Sequence, residues 1–195
     1  MDLALCFACA PIAAPLCAAI AAWIALDSEG SPIYKQARLG KDGKIFKIYK
    51  FRTMAKDAEE KLDACLASDP SLAREWEENH KLKEDPRLTR AGRFLRKTSL
   101  DELPQILNIF LGDMSFVGPR PIVAEEIKKY GRYFAEYRGA RPGLTGLWQI
   151  TGRNNSAYRR RVACDVFYIR NWSALLDIKI LLRTIPAALG GDGAY

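Results

Sequence analysis

The chain has 195 residues, enough for one domain with an appended element and a modest core, and it carries a formal net charge of +7. A pI near 9.2 selects anionic partners, and on charge alone nucleic acid, an anionic membrane face and a phosphorylated small substrate are all admissible. Cys6, Cys9, Cys17, Cys65 and Cys164 lack the two C-x-x-C sets of a zinc site and read as small apolar residues in a reducing compartment, and the single histidine, His80, has no cysteine near it to share a metal.

Residues Leu3 to Leu26, LALCFACAPIAAPLCAAIAAWIAL, contain no charge. At ~1.5 Å per helical residue the stretch is long enough to cross ~30 Å of hydrocarbon. A cleaved signal peptide fits poorly, because the residues before the apolar run include Asp2 and no lysine or arginine. Pro11 and Pro15 each remove a backbone donor and clash with the carbonyl one turn back, so a bend is expected near the middle. A kinked spanning helix and a helix that enters and returns both remain open. Lys35, Arg38, Lys41, Lys44, Lys47 and Lys50 argue that whatever follows is cytoplasmic.

From Pro32 to Thr53 two extended runs, PIYKQARL and KIFKIYKFRT, flank Gly40-Lys41-Asp42-Gly43, the pattern of a β-hairpin. Ala55 to Glu84 interleaves glutamate and lysine, reads as helix broken near Asp69-Pro70, and fits a solvated insertion. Two short helices are expected next, one ending near Lys97 and one from about Asp101 to Leu111, stopped by Gly112. A further helix is expected from Ile122 to Arg138, then a loop rich in glycine and arginine from Ala140 to Asn155. The last portion, Tyr158 to Leu189, reads as helix. In it Trp172, Leu175, Ile178 and Leu182 alternate with Arg170, Lys179 and Arg183, which suits either the membrane interface or packing on a core.

Asp101 and Glu102 sit between a basic run (Arg93, Arg96, Lys97) and an apolar one (Ile106 to Leu111). Ser99-Leu100-Asp101-Glu102 matches a capping box, but counting from Ser99 puts Pro104 where it deletes a helical bond. Counting from Asp101 deletes none, so Asp101 is the expected cap. Either register brings both carboxylates to a helix N-terminus, where a nucleophile, a divalent-metal ligand and a phosphate site could coexist with the plainer capping role.

The run Arg96 to Pro121, RKTSLDELPQILNIFLGDMSFVGPRP, resembles the signature of the monotopic polyprenyl-phosphate phosphoglycosyl transferases, the bacterial sugar transferase family. The resemblance extends to the proline-broken apolar segment, GKIFKIYKFRTM (Gly43 to Met54), RPGLTGLWQITGRN (Arg141 to Asn154) and the terminal Gly193-Ala194-Tyr195. It implies an α+β, mainly helical fold: a re-entrant membrane helix over residues 1–30, then a catalytic domain over 31–195 with a small β-hairpin and amphipathic interfacial helices. The implied location is the cytoplasmic face of the bacterial inner membrane. The implied reaction moves a hexose 1-phosphate from a UDP-sugar to undecaprenyl phosphate and releases UMP, with Mg²⁺ as cofactor. By the same resemblance Asp101 is the nucleophile of a covalent phosphosugar intermediate and Glu102 helps hold Mg²⁺. Arg96 and Arg120 bind phosphate, Lys50 and Arg52 are weaker candidates for that task, and Arg141 and Gln149 complete the substrate-binding set.

That chemistry needs these residue types, because a phosphoryl group accepts a carboxylate only when metal or guanidinium neutralises its own charge. In this family a Ser-Pro pair breaks the membrane helix at the place of Ala14-Pro15, and basic residues precede the aspartate corresponding to Asp2, so a truncated start is open. The terminal Gly193-Ala194-Tyr195 looks most like the branch that uses UDP-galactose, with UDP-glucose next. A catalytically silent scaffold of a polysaccharide assembly complex is the alternative, opposed by the intact Asp101-Glu102 pair. Nucleic-acid binding is opposed by the apolar segment and by the lack of a binding motif. A homo-oligomer is open.

Overall fold

A computed structural model describes residues 1–79, 82, 84–151 and 158–189. His80, Gly152 to Asn154 and the terminal Gly193-Ala194-Tyr195 lie outside the described residues. Helix α1 (Asp2–Asp27) takes in the whole apolar segment, Pro11 and Pro15 included. Strands β1 (Ile33–Leu39) and β2 (Ile45–Phe51) form the expected antiparallel hairpin, turning through Gly40 to Lys44, whose N–H and carbonyl bond at 2.8 Å. The insertion is the helix pair α2 (Ala58–Ser68) and α3 (Pro70–Asn79), broken where Asp69-Pro70 predicts.

Helix α4 (Arg90–Thr98) starts at Thr89, whose hydroxyl accepts from Gly92 N, and α5 (Gln105–Leu111) ends at Gly112 with φ 84°. Between them the expectation of a cap at Asp101 fails. Ser99 adopts a left-handed conformation (φ 56°) that closes α4, Leu100–Glu102 form a 3-10 turn, and Pro104 caps α5. The proline's fixed φ suits a helix start, so α5 begins after the acidic pair rather than at it.

The expected helix from Ile122 to Arg138 is also corrected. It breaks into α6 (Ile127–Tyr130) and α7 (Phe134–Tyr137), because Gly131 takes φ 53° and ψ −127°, outside the helical region. Within the stretch read as loop, β4 (Gly143–Thr145) pairs in parallel with β3 (Ser115–Val117), followed by the short α8 (Leu147–Ile150). The C-terminal portion is two helices, α9 (Tyr158–Arg170) and α10 (Ala174–Leu189).

The β3–β4 junction depends on three glycines. A Cβ on Gly143 would lie 2.1 Å from Gly118 N, and a Cβ on Gly146 would lie 2.2 Å from Gly118 O. Backbone meets backbone there, with no room for a side chain.

Apolar residues pack in three clusters, and α1 enters two of them. Cys6, near its start, joins Ile48, Ile109, Met114, Phe116 and Ile180, whereas Ile20 and Ile24, near its end, join Phe51, Ala91 and Leu95. Both ends of α1 are also hydrogen-bonded to the domain. The Asp2 carboxylate accepts from Ser115 Oγ (3.1 Å) and Phe116 N (3.3 Å), and Asp27 Oδ2 accepts from Ala91 N (3.0 Å). Between those ends Phe7, Ile12 and Leu16 stay exposed.

Asn108, fully buried on α5, accepts from Tyr49 N (3.0 Å) and donates to Lys47 O (2.8 Å), so its amide occupies the outer edge of β2 as a third strand would. Asn108→Ala takes the side-chain partner from both partly buried backbone groups, at a cost of about 2–4 kcal/mol. Urea unfolding in detergent measures this. A loss below about 1 kcal/mol would mean that water replaces the amide.

Candidate active site

Three elements converge on the acidic pair. β2 supplies Lys50, whose Nζ lies 2.6 Å from Glu102 Oε1 with both side chains only partly exposed. α4 supplies Arg96, whose Nε donates to Thr53 Oγ1 at 3.1 Å and whose charge acts on Asp101. The turn after Ser99 carries the carboxylates themselves. This turn follows from the local sequence: a left-handed Ser99 reverses the chain after α4, and Pro104 prevents α4 from running on into α5.

A polar cleft opens beside the pair. Arg38, Lys50, Glu102, Gln105, Arg120 and Gln149 supply its polar walls. Arg120 enters from the loop after β3 and is fixed on several sides. Its carbonyl accepts from Tyr137 Oη at 3.0 Å, its backbone amide favours the ionised form of Asp165, and its guanidinium lies 5.5 Å from the centre of the Trp148 ring. Tyr130 Oη donates to Asp165 Oδ2 at 2.6 Å. Burial pushes the Asp165 carboxyl up to about 6, against the pull of Tyr130, Arg161 and Arg120. Gln149 Oε1 is buried without a partner among the described residues, an acceptor left for a ligand donor.

Burial, and then the adjacent Glu102, push Asp101 up to about 6, with Lys50 and Arg96 opposing. Asp101 therefore ionises just below neutrality, within reach of cations that can also hold phosphate oxygens.

Against the cleft lies a second space of a different kind, an apolar cavity of about 540 Å³ between α1 and the domain. Phe7, Ala14 and Cys17 from α1 face Tyr49 and Phe51 from β2 and Leu103, Pro104, Leu107 and Phe110 from the turn and α5. Consecutive residues thus serve the two spaces: Glu102 lines the cleft, and Leu103 and Pro104 line the cavity.

Of the site residues expected from sequence, Asp101, Glu102, Lys50, Arg96, Arg120 and Gln149 gather here. Arg52 does not. Past the end of β2 its guanidinium donates to Ser28 O at 2.7 Å and ties down the exit of α1. Arg141 is exposed and absent from the cleft's lining, with its carbonyl packed against Gly118. Pro15 lies within the α1 helix. Arg38 was missed, although the hairpin register could have revealed it, because in the antiparallel pairing the even-numbered residues, Arg38 and Lys50 among them, share one face.

The family model for bacterial sugar transferases matches residues 1–191, and the chain belongs to that family. It is 50% identical over 185 residues to the undecaprenyl-phosphate galactose phosphotransferase of Salmonella typhimurium, an alignment covering 94% of this chain and 38% of that protein. To the exopolysaccharide production protein ExoY of Sinorhizobium fredii it is 46% identical over 181 residues, 93% of this chain and 80% of the relative. The UDP-glucose:undecaprenyl-phosphate glucose-1-phosphate transferase of Caulobacter vibrioides is 41% identical over 190 residues, 93% of this chain and 66% of the relative. The chain thus spans little more than a third of the length of the Salmonella protein.

A carboxyl whose pKa is higher in the folded chain than in the unfolded one favours folding at low pH, and that contribution is lost as pH rises towards the folded value. For Asp101 the window runs from the ordinary carboxylate range up to about 6, so the ionised group is a net cost at neutral pH. Asp101→Asn is expected to raise the thermal midpoint by a few degrees at neutral pH and by nothing near pH ~4. Melting curves at the two pH values check this. A difference that does not change with pH would place the cause outside the titration.

Proposed function

We propose that the chain transfers a sugar 1-phosphate from a UDP-sugar to undecaprenyl phosphate through a covalent intermediate on Asp101. The observation that carries this reading is the turn at residues 101–104, where a cation-flanked carboxylate pair and the wall of a lipid-sized apolar cavity are adjacent in the chain. Asp101 attacks the β-phosphorus of the nucleotide sugar and UMP leaves. The phosphate of undecaprenyl phosphate then attacks the same phosphorus, which frees the carboxylate.

Lys50 and Arg96 flank the reacting group, Arg120 offers a bidentate fork for phosphate oxygens, and the apolar cavity takes the proximal part of the lipid acceptor. Asp101, whose proton affinity the adjacent Glu102 raises, and Glu102 itself make a carboxylate pair that fits Mg²⁺, which is commonly held by one or two carboxylates together with substrate phosphates. Glu102 would be the steadier ligand, leaving Asp101 to attack. Mg²⁺, when bound, neutralises phosphoryl charge.

The reading includes a re-entrant α1. Its support is that Asp2 and Asp27, at opposite ends of the helix, are both bonded to one domain, which a straight crossing would separate by ~30 Å of hydrocarbon. Exposed Leu175, Ile178, Leu182 and Ile185 on α10, with Trp172 before it, suit the interface on the cytoplasmic side of the inner membrane. The names of the relatives include both galactose and glucose transferases, and galactose is the sugar we favour.

Incubation with a UDP-sugar carrying a radiolabelled sugar, with Mg²⁺ and without lipid, is expected to label the protein and release UMP, with UDP-galactose the best donor of a panel. Asp101→Asn should abolish the label, and Glu102→Gln should slow labelling and raise the Mg²⁺ requirement. The rate should rise as pH passes through about 6. Labelling of the Asn variant at the wild-type rate would remove Asp101 as the nucleophile. Arg120→Lys keeps the charge and loses the fork, so turnover should fall at least ~10-fold with the fold retained.

A further inference from the structure

The cleft holds more cationic charge than the acidic pair accounts for. Arg38 lines it from β1, opposite Phe46 in the register and on the same face as Lys50. Among the described residues its guanidinium makes one hydrogen bond, from Nη2 to Gln36 Oε1 at 2.7 Å. Its other N–H groups have no protein acceptor there.

Its neighbours make this costly. Burial, Arg120 and Arg161 all disfavour the Arg38 charge and hold its pKa below the usual arginine range, while Glu126 and Tyr34 offset only part of this. Glu126 is already engaged, accepting from Arg161 Nη1 at 3.2 Å and from Val123 N at 3.1 Å. A second anion in the cleft would relieve the repulsion, and Arg38 has the donors to bind it.

Position says which anion. Lys50 faces Glu102 and is paired with Tyr34 across the hairpin, and Arg38 lies four residues further along β1, ~13 Å by strand rise. One cation therefore stands at the attacking carboxylate, and the other reaches into the same cleft from further along the same face, so that their long side chains can converge on the two ends of one diphosphate. We propose that Arg38 receives the leaving phosphate of the nucleotide, the α-phosphate of UMP. The assignment rests on the reading of the cleft as a UDP-sugar site.

In that step an Asp101 oxygen forms a bond to the β-phosphorus as the bond from that phosphorus to the bridging oxygen breaks. The electron pair stays on the bridging oxygen, which departs on UMP as an added negative charge. Arg38 N–H groups take up that charge, and no proton need move.

Calorimetric titration of the full chain in detergent micelles, with UMP and uridine as probes, isolates the phosphate. Wild type is expected to bind UMP about 10- to 100-fold more tightly than uridine. Arg38→Gln should shrink that preference to less than about 3-fold and leave uridine affinity unchanged. Arg38→Lys, which keeps the charge, should retain an intermediate preference. If the Gln variant lacks a cooperative melt, the Lys variant decides, and a full wild-type preference in it overturns the assignment. A full preference in a folded Gln variant does the same while leaving the nucleotide reading intact. Wild type that binds neither probe and takes no label from a UDP-sugar overturns both.

Discussion

The site depends on an amide that takes no part in it. Asn108 holds the outer edge of β2 through the Tyr49 N–H and the Lys47 carbonyl, and so fixes the axial position of α5 against the hairpin. Lys50 lies one residue beyond Tyr49, and Glu102 lies in the turn that leads into α5. The 2.6 Å contact between them is a consequence of where Asn108 sits. A two-stranded sheet has two edges, and an apolar residue at 108 would leave the polar groups of this one without their side-chain partner.

The same economy governs the apolar helix α1. α1 contributes to two of the three apolar clusters and is bonded at both ends, while its middle remains exposed along with the apolar cavity behind it. The domain therefore uses α1 as a lid that it grips by the ends. The gap between lid and domain lies next to the carboxylates because Leu103 and Pro104 directly follow Glu102 in the chain. Arg52, which resembled a phosphate ligand, belongs to this grip rather than to the cleft.

What could be read from the sequence was whatever is encoded locally. The hairpin, the split insertion and the ends of α4 and α5 follow from glycine, proline and period-2 patterns within a few residues of one another. The β3–β4 pair could not be read this way, since each strand has three residues and is held by a partner well over twenty residues away. The helix expected at 122–138 failed on Gly131, where apolar spacing continues but the backbone turns out of the helical region. At the site, Asp101 and Glu102 stood out as a pair, while Lys50, Arg96, Arg120 and Gln149 around them came only through the family resemblance. Arg38 required the strand register, and the separate fates of Arg52 and Lys50, two residues apart, required knowing where β2 ends.

The glycines at the β3–β4 junction bear on how such a chain can change. A cramped core contact can usually be relieved by pairing a larger residue on one side with a smaller one on the other. Gly118, Gly143 and Gly146 offer no such exchange, because each is already the smallest residue and its nearest neighbour is main chain. The segments that carry Arg120 and Gln149 are thus joined at a seam that no compensating substitution can reopen. Variation in substrate preference has to enter through the side chains around that seam, leaving the junction itself untouched.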